Sequence, residues 1–158
     1  MRVLALDYGS ARCGCAVSDP SGSIATPLQP VQRPGSRRGL RHLAALVREL
    51  EAERIVVGLP LSLSGGETAQ TGETRAFARS LSEVAAVPVD LYDERLTTRL
   101  AARLGGRASE DSRAAALLLE DWLAARTNNG DSAPRGGSDS PKFAAGAGAR
   151  ARKAPSRG

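Results

Sequence analysis

Aromatic residues make up only 3% of this 158-residue chain. So few rings leave few platforms on which unpaired bases could stack, which argues against a strong nucleic-acid-binding module of that kind. Cysteine is almost as scarce. Cys13 and Cys15 lie two apart on one expected strand, on the same face, a poor geometry for a mutual disulfide. With His42 as the sole histidine, a soft-ligand metal site cannot be assembled around them, and both read as core thiols of a reducing compartment. No apolar run approaches the roughly 18 residues needed to cross a bilayer. The N-terminus offers one arginine, four apolar residues and then an acid, which is not a signal peptide, so a cytoplasmic location is expected.

Lysine is missing from the body of the chain, since Lys142 and Lys153 both follow Thr127. Charge is uneven in the same way. Of the net +5, the stretch from Thr127 onward supplies +4, through six bases against Asp131 and Asp139. Residues 1–126 are thus close to neutral. The segment 127–158 is Gly, Ser, Ala, Pro, Asn and Arg with Phe143 as its one large apolar residue, and it reads as a disordered basic tail. One domain, residues 1–126, is long enough to bury a sizeable core.

That domain is organised around its first nineteen residues, MRVLALDYGSARCGCAVSD. Val3 to Leu6 is an unbroken apolar run, the mark of a strand buried on both faces. It ends on Asp7. Tyr8-Gly9-Ser10 turns the chain, and Cys13 to Val17 runs back as a second strand. A buried strand ending in an acid before a glycine turn suits a metal or phosphate site, but an Asp that only caps the turn accounts for the same residues.

Further along, Ile24 to Gln29 predicts a third, proline-bounded edge strand, and Val31 to Gly39 a loop. Leu40, Leu43, Ala44, Val47 and Leu50 recur at helical spacing, with Arg41 and His42 off that stripe. Arg54 to Gly58 is another buried strand. A helix from about Glu67 is expected to bury Ala69, Glu73, Ala76, Phe77, Leu81 and Val84, and Val87 to Tyr92 a strand parallel to the one at 54. Asp93-Glu94 falls just past that strand's carboxyl end, where ligands bind in open α/β sheets. If the first and last strands are neighbours, Asp7 and Glu94 face one crevice. A short helix ending at Gly105-Gly106 follows. Ser109 to Ser112 then opens a last helix with Ala114, Ala115, Leu118, Leu119, Trp122 and Leu123 as its buried stripe. By position alone Asp111 is an ordinary helix-capping acid. Asp90 and Asp121 read as surface charges.

The strings LALDYGSARCGCAVSD, VVGLPLSLSGGETAQTGETRAFA, LYDERLTT and DSRAAALLLEDWL occur in the order found in the YqgF (RuvX-like) family, which this chain resembles from Met1 to about Arg126. Members are described as pre-16S rRNA nucleases and as Holliday junction resolvases. The resemblance implies an α/β, RNase H-like fold, with a mixed central sheet flanked by helices. It also implies a nuclease site in which Asp7, Glu94 and Asp111 hold Mg²⁺ or Mn²⁺. One difference stands out: between DERLTT and the last acid, the family tends to have a longer stretch with a basic run, where this chain has only Arg99, Arg103 and Arg107.

The implied chemistry suits those residue types. A phosphodiester is anionic and resists attack by water, and two hard cations roughly 3.5–4 Å apart relieve that by activating water and stabilising the leaving oxygen. Carboxylates are the matching ligands. Without cations, three acids in one crevice repel by roughly 4 kcal/mol per pair at about 4 Å and an effective dielectric of 20. Gly9, Arg12 and Arg95 are the expected contacts to the nucleic acid, whether precursor rRNA or branched DNA. Resolvase-type cutting of two strands would require a homodimer. Two other readings stand beside this one: an ATP-handling phosphate loop, which normally needs a second domain, and a noncatalytic nucleic-acid-binding or regulatory protein of the same fold.

Overall fold

The computed structural model describes residues 1–62, 64–93 and 110–128, the side chains of 110 and 111 excepted. Its elements are β1 (Val3–Asp7), β2 (Arg12–Ser18), β3 (Ala25–Pro27), β4 (Val31–Gln32), α1 (Arg37–Glu49), β5 (Arg54–Leu59), α2 (Ala69–Val84), β6 (Val89–Asp93) and α3 (Glu110–Asn128). The sheet runs β3-β2-β1-β5-β6, with β4 pairing the far end of β2. β1, β2 and β3 form an antiparallel meander, whereas β5 and β6 join β1 in parallel through helical crossovers. The sheet is therefore mixed and flanked by helices, as expected.

Strand parity divides the core into two. Leu4, Leu6, Cys13, Cys15, Ile55, Val57, Val89 and Leu91 turn to the α1/α2 side. Val3, Ala5, Ala16, Val56 and Tyr92 turn to α3, where Ala115, Leu118, Leu119 and Trp122 cover them. Both cysteines are free and buried on one face.

The helix ends are set by local hydrogen bonds. Ser36 caps α1 by accepting from the Gly39 amide at 3.0 Å. At the far end Glu51 adopts φ 53°, with Glu51 N donating to Arg48 O and Ala52 N to Val47 O, a Schellman arrangement that uses Glu where glycine is usual. Thr68 and Thr71 form a reciprocal capping box at the start of α2, and the Thr71 hydroxyl also donates to Pro60 O.

Three expectations change. The loop at 31–39 contains β4, and α1 starts inside it, at Arg37. α2 buries Thr71, Thr74, Phe77, Ala78, Leu81 and Ser82, while Ala69, Glu73, Ala76 and Val84 are exposed. The hydroxyls tolerate burial because each has a partner: Thr74 donates to Gln70 O and Ser82 to Arg79 O. The third change is lateral: β5 lies between β1 and β6, so the first and last strands are parallel but not neighbours. At the other end of the chain, α3 continues through Thr127 and Asn128, two residues into the stretch read as tail. The short helix expected before Gly105 lies outside the described residues.

Candidate active site

Asp7 is the last residue of β1, half-buried, in register with Gly14 of β2. It shares parity with Val3 and Ala5, so it belongs to the α3 side of the sheet. Asp93 ends β6 opposite Leu59 and shares parity with Val89 and Leu91 on the other side. Both acids lie at the carboxyl edge of parallel strands. With β5 between them, β1 and β6 are two strand spacings apart, about 9–10 Å.

The first turn of α3 is tied to this same edge. Ser112, buried at 1% exposure, donates from Oγ to Leu28 O at 2.7 Å. Leu28 N in turn donates to Cys15 O at 2.8 Å, and Cys15 is the β2 partner of Leu6. A single chain of hydrogen bonds thus links the start of α3 to the row directly before Asp7. In the sequence Ser112 stands only as one of the capping residues 109–112. The usable signal was a small hydroxyl residue preceding the buried stripe by three positions.

Of the expected site residues, Asp7, Gly9 and Arg12 are brought together around the β1–β2 turn. A Cβ on Gly9 would meet Arg12 O at 2.7 Å, so the close approach that requires glycine here is by the chain's own carbonyl. Arg12 opens β2 and is exposed. Asp111 falls in the first turn of α3, immediately before Ser112. The Asp111 side chain, Glu94 and Arg95 lie outside what is described. Among the described residues, no three His, Cys, Asp or Glu side chains form a metal-holding group.

Electrostatics on the α3 side differ from the sequence-based expectation. Asp90 is not a plain surface charge, since it pairs with Arg54 at 2.6 Å with only 18% of its side chain exposed. Asp121 is half-buried, and burial holds its carboxyl above the usual range. Burial, followed by the carboxylates of Asp121 and Asp93, raises the Tyr92 phenol. Tyr8, next to Asp7, stacks on Phe77 with ring centroids 4.5 Å apart, and burial, then Glu73 and Cys13, raises its phenol.

An antiparallel three-strand meander continued by parallel strands, with helices on both faces, is the architecture of the RNase H-like class. Thermus thermophilus RuvC, solved in complex with a Holliday junction substrate, matches with a TM-score of 0.55 over 85% of this chain and 99% of its own. At 18% identity that is a likeness of fold. A family model described as "RuvX: Holliday junction resolvase" matches residues 1–125, and the chain belongs to that nuclease family. Similar proteins include one from Clavibacter michiganensis named "Putative pre-16S rRNA nuclease". It is 43% identical over 130 residues, 76% of this chain and 81% of its own length. A protein of the same name from Anaeromyxobacter is 42% identical over 137 residues, 80% and 98% of the two chains. No helix among the described residues is long and apolar enough to cross a membrane.

Proposed function

We propose that the protein is a divalent-metal-dependent nuclease that trims the 5′ end of precursor 16S rRNA in the cytoplasm, with Asp7, Glu94 and Asp111 as its metal-holding acids. The observation that carries this reading is the hydrogen-bonded link from Ser112 through Leu28 to Cys15 of β2, the register partner of Leu6, which supports an approach of the α3 start to the row beside Asp7. Parity adds to it: Asp7 lies on the side of the sheet that α3 covers.

The donor chemistry fits the group. Asp7 offers carboxylate oxygens at a half-buried strand end, suited to a hard cation such as Mg²⁺ or Mn²⁺. When bound, the metal supplies charge neutralisation and a more acidic water. The chain's own part is to fix Asp7 on a sheet edge and Asp111 at a helix start. Gly9 permits the tight turn that ends β1, and Arg12 and Arg95 hold the phosphate backbone by bidentate contacts.

The family description favours a second substrate, a four-way DNA junction, which would call for a homodimer to cut two strands. Both substrates belong in one experiment: purified protein with precursor rRNA or a four-way junction, in Mg²⁺, Mn²⁺ or EDTA. Cleavage should require metal and fall by at least about 10²-fold in Asp7→Asn. Mg²⁺ should raise the melting temperature of the wild type but not of that variant, because only the native acid cluster binds it. Cleavage that persists in EDTA or in Asp7→Asn refutes the mechanism. Tight binding without product in any metal would favour the noncatalytic reading.

A further inference from the structure

Between Asp19 and Glu49 the chain holds no acid at all but five arginines, Arg33, Arg37, Arg38, Arg41 and Arg48. The neutrality of residues 1–126 therefore conceals a segregated charge. All five are exposed, and among the described residues Arg33, Arg37, Arg38 and Arg41 form no ion pair. Arg37 and Arg38 stand in the first turn of α1, which has no acid, on the end of the helix where its dipole disfavours positive charge. Helix stability is not what this arrangement serves.

Arg33 is held in place by several contacts. Its backbone adopts φ 44°, a conformation unusual for a side chain of this size. Its amide donates to Ala11 O at 2.9 Å, and its carbonyl accepts from Ser36 N at 3.0 Å and Ser36 Oγ at 2.7 Å. A Cβ on Gly39 would meet that carbonyl at 2.2 Å, so α1 is seated directly against the Arg33 backbone. The result is an open groove of about 730 Å³ lined by Tyr8, Ser10, Gln32, Arg33, Gly35 and Ser36. Tyr8 follows Asp7, and β4 pairs with the start of β2, so the groove lies at the same edge of the sheet as the candidate active site.

We infer that this groove and the arginines beside it form the surface over which the nucleic-acid strand runs once it has passed Asp7, each arginine neutralising a backbone phosphate. The inference rests on the nuclease reading for the identity of the polyanion. Its chemistry is that of phosphate contact rather than base reading: guanidinium groups without carboxylate partners among the described residues, and hydroxyls of Tyr8, Ser10 and Ser36 in the groove lining. A strand crossing the edge would meet metal-holding acids on the α3 side and arginines on the α1 side.

Binding, read without cleavage, tests it. A labelled RNA hairpin with a short 5′ overhang, and a four-way DNA junction, are titrated in EDTA between about 50 and 200 mM KCl. Neutralising Arg33, Arg37, Arg38 and Arg41 to Gln should weaken binding at least about tenfold at low salt and flatten the log K against log [salt] slope by about two or more, each lost phosphate contact being worth about 0.7–0.9. The same four positions as Lys should keep the slope, and Arg79→Gln on α2 should leave both values unchanged. Melting of the Gln variant should match or exceed that of the wild type. Equal binding and slope in wild type and Gln variant overturn the proposal, as does a Gln variant that loses binding only to vesicles of anionic lipid. Failure of the nuclease reading is seen separately, as Asp7→Asn cleaving like the wild type.

Discussion

The two sides of the sheet are built from the same strands yet differ in character. Toward α1 and α2 the strands present Leu4, Leu6, Ile55, Val57, Val89 and Leu91, large aliphatic side chains in one continuous cluster. Toward α3 they present Val3, Ala5, Ala16 and Val56, which are mostly smaller, beside Tyr92; Asp7 ends the β1 row at the carboxyl edge, while the Arg54–Asp90 pair lies toward the amino end of the parallel strands. Bulk on one side supplies most of the apolar burial. Small residues on the other let a helix lie close, with its first turn against the sheet edge. On the proposed reading, alternate residues of one strand divide two tasks, cohesion and chemistry, so a strand as short as β1 would serve both.

If that division is right, Leu6→Ala should cost about 2–5 kcal/mol in denaturant unfolding, because it empties a fully buried site between sheet and helices. Metal-dependent cleavage by the fraction still folded should be nearly normal. A loss of activity per folded molecule would break the comparison. Ser112→Ala should show the opposite balance. It removes one buried hydroxyl and its bond to Leu28 O, worth about 1–3 kcal/mol, yet should slow cleavage about ten- to a hundredfold by letting the start of α3 drift from Asp7. Equal fractional losses of both properties would mean that Ser112 is an ordinary core contact.

The smallest effect is expected at Asp121. Burial raises its folded carboxyl above the unfolded value, so the native state keeps the proton that the unfolded chain gives up first. Its contribution to stability is present below the unfolded pKa and is lost as pH rises through the folded one. Asp121→Asn should therefore melt slightly higher than the wild type near neutral pH and no higher in mild acid. A melting curve pair that separates more in acid than at neutrality would reverse the sign.

Much of the fold was legible because β1, β2 and β5 are short apolar runs with turn residues on either side, a pattern little else produces. What escaped has specific causes. The α2 face was misread because hydropathy cannot anticipate that Thr71, Thr74 and Ser82 are buried with backbone partners while Val84 is left at 45% exposure. The start of α1 was hidden by two arginines where an acid is usual, although Ser36 was a readable cap. Strand order was out of reach, since periodicity says which way a side chain faces and nothing of which strand lies beside which. For the site, Asp7 was legible as an acid ending a buried strand. Ser112 was not, because its partner Leu28 is 84 positions away and is a backbone carbonyl, invisible to any motif.

The outer rim of the sheet beyond β2 consists of two scraps, Ala25–Pro27 and Val31–Gln32, separated by a stretch that includes Pro30. Neither fragment is long enough to template another molecule's backbone, and prolines stand in the first, at Pro27, and beside the second, at Pro30. Sheet-to-sheet fusion between copies is closed off along that side, so crowded solutions of the protein have one fewer route to fibrous precipitates, and any pairing of two copies has to use a different part of the surface.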